Sequence, residues 1–176
     1  TDLTIVDNVL MANETGILIG RAGDLNLTVR DNLVNMNDAN GMDVWATGGG
    51  VGTFNAAISG NVFNQNGAAG AFLYADGYDD SLADIRNSQF IGNPAFGLEV
   101  FQLNSTLAMS LLSGLAAHDN GMGILNQQVN NDYALANISG TAANNNGVFG
   151  ILNIQNSRYV SASVFGMPDG LDTSVA

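Results

Sequence analysis

The chain has 176 residues and a formal net charge of −12, with sixteen acidic residues against four arginines and no lysine. It also has 24 asparagines, 22 glycines, no cysteine and one histidine. That balance excludes a nucleic-acid binder, which needs a basic patch, and it excludes disulfide frameworks and cysteine or multi-histidine metal sites. No run of 18 apolar residues is present, so this segment inserts no helix into a membrane, while 46% apolar content is too much for a disordered chain. The first residues open directly into the strand-like LTIV run with no signal peptide, as expected for a mature product, an excised fragment or a cytoplasmic protein.

In chain order, the segments LTIVDNVLMANETGILI, LTVRDNLVNMNDANGMDV, AAISGNVFNQNGAAGAFL, ADIRNSQFIGNPAFGLEV, SLLSGLAAHDNGMGIL and ANISGTAANNNGVFGIL share one frame. Asparagine recurs at Asn13, Asn37, Asn66, Asn93, Asn120 and Asn146, and glycine follows at Gly16, Gly41, Gly70, Gly97, Gly123 and Gly150. Three apolar columns accompany them. The first runs Ile5, Val29, Ile58, Ile85, Leu112, Ile138. The second runs Leu10, Val34, Phe63, Phe90, Ala117, Ala143, and the third Ile17, Met42, Ala71, Leu98, Ile124, Ile151. Five columns aligned across six units at a period of about 26 residues mark an internal repeat. Within each unit, apolar residues alternate with period two, the signature of short strands. Asparagine and glycine separate them, residues that tolerate left-handed turns.

One such unit cannot bury its own face, but stacked units can, each strand bonding to its equivalent one coil along at about 4.8 Å. The expected fold is all-β, a right-handed parallel β-helix of about six to seven coils with three short strands per coil. The repeat domain spans 1–166, and 167–176 is a tail or the start of a further coil. YVSASVFG, beginning at Tyr159, aligns with YALANISG at 133–140 as a partial seventh repeat. Neither end shows a polar cap, which suggests excision from a longer chain. At this spacing the repeated asparagine amides should bond to one another as a ladder along the axis.

The frame from Ile58 to Ala71, I-x-x-N-x-F-x-x-N-x-x-x-G-Φ, resembles the right-handed parallel β-helix repeat of pectate lyases, phage tailspikes, autotransporter passengers and polymorphic outer-membrane proteins. The F-x-x-N pieces at Phe63–Asn66 and Phe90–Asn93 are similar to the last group's motif. The resemblance implies the fold, and it admits enzymes and adhesins alike. Lyases of this type use basic residues on a calcium-binding face. Here Arg30 and Arg86 fall on the first strand of their coils, which argues against that chemistry.

In the strand after each glycine, the second and fourth positions should point outward. They place Trp45, Tyr74 and Phe101 in one outward column, with Phe72 beside them and Asp43 and Glu99 two coils apart. An exposed aromatic face of this kind marks an interaction site. Three readings follow: self-association or partner binding, a sugar platform, or aromatics that belong to the core because the inward–outward assignment is reversed. Asp43 and Glu99, about 10 Å apart by two coil rises, are the candidate catalytic pair, near the upper separation for an inverting glycosidase. The loop acids Asp76, Asp79, Asp80 and Asp84 are the candidate metal ligands, and calcium is the ion that oxygen ligands of this kind would hold; no other cofactor is implied. Gly48–Gly50, Val51 and Gly52 lack the lysine of a phosphate loop and read as a flexible connection. His118, beside Asp119, reads as a surface residue.

These features lead to a non-enzymatic extracellular or cell-surface segment, adhesin-like or passenger-like. It would bind carbohydrate, a host or cell surface, or itself through the aromatic face. The alternatives are a carbohydrate-active β-helix and a filament subunit that stacks end to end.

Overall fold

The computed structural model describes residues 1–166 and 172–175, with side chains described through Val164. The described chain is all β. Coil one comprises β1 (Asp2–Val6), β2 (Val9–Met11) and β3 (Ile17–Ala22); coil two, β4 (Leu25–Arg30), β5 (Leu33–Asn35) and β6 (Met42–Thr47). Coil three comprises β7 (Thr53–Ser59), β8 (Val62–Asn64) and β9 (Ala71–Asp76); coil four, β10 (Asp80–Arg86), β11 (Gln89–Ile91) and β12 (Phe96–Leu103). Coil five comprises β13 (Leu107–Ser113), β14 (Ala116–His118) and β15 (Met122–Val129). In coil six, β16 (Tyr133–Asn144) runs through the first corner and serves two sheets, and β17 (Ile151–Asn156) follows. β18 (Tyr159–Gly166) and β19 (Asp172–Val175) add parallel strands beyond it. The assignment of 167–176 as a tail or the start of a further coil falls mostly on residues outside those described.

The strands stack as a parallel β-solenoid of about six turns. Sheet A holds β1-β4-β7-β10-β13-β16-β18, sheet B holds β2-β5-β8-β11-β14 and the end of β16, and sheet C holds β3-β6-β9-β12-β15-β17-β19. The repeat columns are the observed register. Val29 pairs with Ile58, Ile58 with Ile85, and Ile85 with Leu112; Val34 pairs with Phe63 and Phe63 with Phe90. Tyr133 pairs with Tyr159, as the partial repeat requires. All three columns point inward and are almost wholly buried from coil two onward. Inside, the Phe63 and Phe90 rings stack at 5.3 Å with an interplanar angle of 4°.

The asparagine ladder forms in full. Each amide oxygen accepts from the backbone N–H and the side-chain NH₂ of the preceding asparagine, from Asn13–Asn37 to Asn120–Asn146. Each NH₂ from Asn37 on also donates to the carbonyl of the central residue of a sheet B strand, such as Val34 O for Asn66 and Phe63 O for Asn93. The glycine column has a different cause from the one expected. Gly16, Gly41, Gly70, Gly97 and Gly123 do not have positive φ. A Cβ at Gly70 would lie 2.5 Å from Gly97 O and 2.9 Å from Asn93 Nδ2, so glycine is required by the close approach of the next coil's ladder. Left-handed geometry falls instead on the first residue of each turn, including Asp7, Ala12, Asp31, Met36, Gln65 and Asn87. Such φ values cost non-glycine residues about 1 kcal/mol or more each and persist because the stacked coils over-determine them.

Two further ladders have no counterpart in the sequence reading. Asn8, Asn32, Asn61 and Ser88 line the corner between sheets A and B in the same way. Inside coils four to six the core turns polar. Gln155 donates to Gln128 Oε1 at 2.7 Å and Gln128 to Gln102 Oε1 at 2.9 Å. The Gln102 and Gln128 NH₂ groups also donate to carbonyls of sheet A, Met109 O and Leu135 O respectively. These buried amides are satisfied by one another and tie sheet C to sheet A across the interior, as buried polar groups must be.

Candidate functional site

Sheet C carries two outward columns in register. One runs Leu18, Asp43, Phe72, Glu99, Leu125, Leu152; the other runs Gly20, Trp45, Tyr74, Phe101, Gln127, Ile154. The inward–outward assignment holds, since Met42, Val44 and Ala46 on the same strand as Trp45 are fully buried. The reading that placed these aromatics in the core is therefore overturned.

The rings form a contiguous strip. Trp45 lies 5.0 Å from Tyr74 and 5.1 Å from Phe72, and Tyr74 stacks on Phe101 at 6.0 Å with 14° between planes. Stacking along the axis directs ring faces at one another. Tyr74 therefore has a ring neighbour on both sides, and its hydroxyl lies 3.4 Å from Asp76 Oδ2. Burial first, then the nearby Asp76 charge and this hydrogen bond, raises the Tyr74 pKa. Trp45 differs. Its ring contacts are both with coil three, and its register partner in coil one is Gly20, whose added Cβ would meet nothing within 4 Å. Leu18 beside it is 70% exposed and Trp45 is 49% exposed. The open side of the indole thus faces a notch one side chain deep.

Asp43 and Glu99 lie in one column with Phe72 between them. Both carboxylates therefore sit on one flat sheet face, and the place where a scissile glycosidic bond would have to lie is held by the Phe72 side chain. Glu99 is half-buried between Phe72 and Leu125, and desolvation raises its pKa above the ordinary 4.5. The Asp43 side chain makes no hydrogen bond among the described residues, and its Oδ1 is buried without a partner. Asn35 Oδ1 is the other such atom.

The four loop acids are not brought together. Asp76 Oδ1 accepts from Asn104 at 2.7 Å, Asp79 accepts from the Gly52 N–H at 3.2 Å, and both Asp84 oxygens are held by Arg86 at 2.6 and 2.7 Å. Asp80 opens β10. Among the described residues no three acidic or histidine side chains converge on a point that could hold a metal. His118 Nδ1 lies 3.0 Å from Asp119 Oδ2.

On sheet A the strands β10, β13 and β16 begin at Asp80, Leu107 and Tyr133, several residues before the inward positions Ile85, Leu112 and Ile138. This adds an outward column on sheet A, Leu82–Met109–Leu135, beside the stacked Tyr133–Tyr159 pair. The outer face of sheet A is thus partly apolar at this end of its strands. Its outer surface also has a shallow depression lined by Ala57, Ser59, Asp84 and Arg86. The sequence signal for these positions is the period-two alternation of DSLADIR and LAMSLLS. Compared with models of known families, with curated proteins and with solved structures, the chain has no match.

Proposed function

We propose that this β-solenoid is a non-catalytic binding segment that engages its partner through the outer face of sheet C, in the manner of a cell-surface or secreted adhesive repeat. The observation that supports this most is the half-exposed Trp45 at the end of a stacked aromatic strip, with its free side left open by Gly20. Exposed aromatic surface of this extent is costly to hold in water and typical of interaction sites. The flat disposition of Asp43, Phe72 and Glu99 favours recognition over glycoside hydrolysis, because an inverting pair must flank the bond and leave room for water between.

The test uses purified protein and its Trp45→Ala/Tyr74→Ala variant. Both are assayed for self-association by sedimentation velocity and for binding to immobilised basic peptides, neutral polysaccharides and acidic polysaccharides. The variant should lose at least about tenfold in affinity for whichever surface the parent binds, equivalent to about 1.4 kcal/mol. Equal binding by parent and variant on every surface would remove sheet C from the account. Release of reducing ends from a polysaccharide, abolished by Asp43→Asn or Glu99→Gln, would replace it with the hydrolase.

A further inference from the structure

Within the sheet C face, the notch beside Trp45 has a chemistry of its own. Its floor is Gly20, its wall toward coil two is the indole of Trp45, and Leu18 flanks it. Asp43 lies two residues before Trp45 on the same outward side of β6, a separation of about 7 Å. Its carboxylate has no hydrogen-bond or ion-pair partner among the described residues, and one oxygen is withdrawn from solvent without a donor. An orphaned buried acceptor of this kind costs free energy until a donor reaches the group.

The chain cannot supply that donor as a cation. Arg30 is paired with Asp31 at 2.7 Å and Arg86 with Asp84 at 2.6 Å. Arg158 lies over the Tyr159 ring at 5.3 Å. Arg21 belongs to the column of Ala46, the opposite side of the strand from Gly20, and its Nε donates to Asp24 O. There is no lysine. The face around the notch also carries Glu99 and Asp76 and belongs to a chain of net charge −12. An aromatic face open on one side, an unpaired carboxylate within reach and a predominantly negative surround are the complement of an organic cation.

We infer that the Trp45–Gly20–Asp43 notch receives a lysine or arginine side chain of a basic protein partner, the cation lying against the open indole face and hydrogen-bonded to Asp43. This rests on sheet C being the binding face and adds the partner's chemistry to it. A sugar would also stack on an indole, but it gives no account of an unpaired carboxylate in a negative surround.

Trp45 is the sole tryptophan, so its fluorescence reports on the notch alone. The probe is an acetylated, amidated Gly-Lys-Gly-Lys-Gly peptide, with its glutamine counterpart and maltohexaose as comparisons. The lysine peptide should shift Trp45 emission saturably, and the glutamine peptide and the sugar should not. Asp43→Asn should weaken the response about tenfold. Gly20→Val, which fills open space on a strand, should abolish it while the far-ultraviolet circular dichroism spectrum stays unchanged. Asp7→Asn removes one charge at a remote turn and should leave it within about twofold. An unchanged response in Gly20→Val, no Trp45 response to the lysine peptide, or a sugar response that survives Asp43→Asn would each overturn the assignment. If the notch variants bind normally while Trp45→Ala/Tyr74→Ala does not, the notch falls and the sheet C reading stands. If that double variant also binds normally, both fall.

Discussion

Replacing Asn66 by alanine removes one rung from the middle of the ladder, and the cost can be worked from its bonds. The Asn66 NH₂ donates to Val34 O at 3.2 Å and to Asn93 Oδ1 at 3.1 Å, and its Oδ1 accepts from Asn37 N–H at 3.2 Å and Asn37 Nδ2 at 2.8 Å. Asn66 is 1% exposed, so water cannot replace these partners. Alanine leaves two donors on Asn37 and one carbonyl lone pair on Val34 unmet. Each orphaned donor costs about 1–3 kcal/mol, so the total is about 3–5 kcal/mol, a large part of the ~5–15 kcal/mol that holds an ordinary domain. In urea this should lower the midpoint by roughly 1–2 M. Asn66→Ser should fall between, because Ser88 in the neighbouring ladder already accepts from Asn61 N–H at 3.3 Å with a shorter reach. Asn13→Ala should cost less than about 1 kcal/mol, since Asn13 is exposed and its amide only donates, to Asn37 Oδ1 and Met11 O. If Asn66→Ala melts within 1 kcal/mol of the parent, or no lower than Asn13→Ala, the ladder is not what holds the corners.

Three further outcomes follow from the same geometry. Gly70→Ala places a Cβ 2.5 Å from Gly97 O and should destabilise by about 2–3 kcal/mol, read by urea denaturation, with no help from glycine's left-handed freedom because φ there is not positive. Glu99→Gln should raise the melting temperature at pH 7 by about 2 °C or less. Because the folded pKa of Glu99 is raised by desolvation, its charge opposes folding above that pKa, and the gain should disappear below the ordinary 4.5, where the carboxyl is protonated in both states. Gly20→Val should leave the melting temperature unchanged or slightly higher, since the new side chain meets open space and β-branched residues suit strands; a clear drop would show that the notch is not open.

How much of this was legible in the sequence depended on how directly each position repeats. The inward columns and the Asn13–Asn146 ladder were read correctly because every coil uses the same residue type at the same offset. The Asn8–Asn32–Asn61–Ser88 ladder was not, because serine takes the fourth rung and Leu115 follows in coil five, so asparagine repeats only three times before the ladder ends at Ser88. The glutamine ladder was missed for a related reason: Gln102, Gln128 and Gln155 occupy a column that is Ala46 and Ala75 in earlier coils, and a polar side chain at an inward position reads as a loop until its partners are known. The role of the glycine column was misjudged because sequence shows turn propensity but not the distance to the next coil. On the site, the outward aromatic column followed from alternation alone. The notch did not, because a missing side chain at Gly20 acquires meaning only from Trp45, 25 residues away and one coil along.

The most direct measurement of the central claim is acrylamide quenching of Trp45 in the free protein and in its saturated complex with whichever partner the binding panel identifies. Trp45 is half-exposed in the free chain and should be readily quenched. On binding, its quenching constant should fall by at least about half, as expected for an aromatic anchor buried at the centre of an interface. A saturated complex in which Trp45 is quenched as readily as in the free protein would contradict the claim that sheet C is the face by which this solenoid binds.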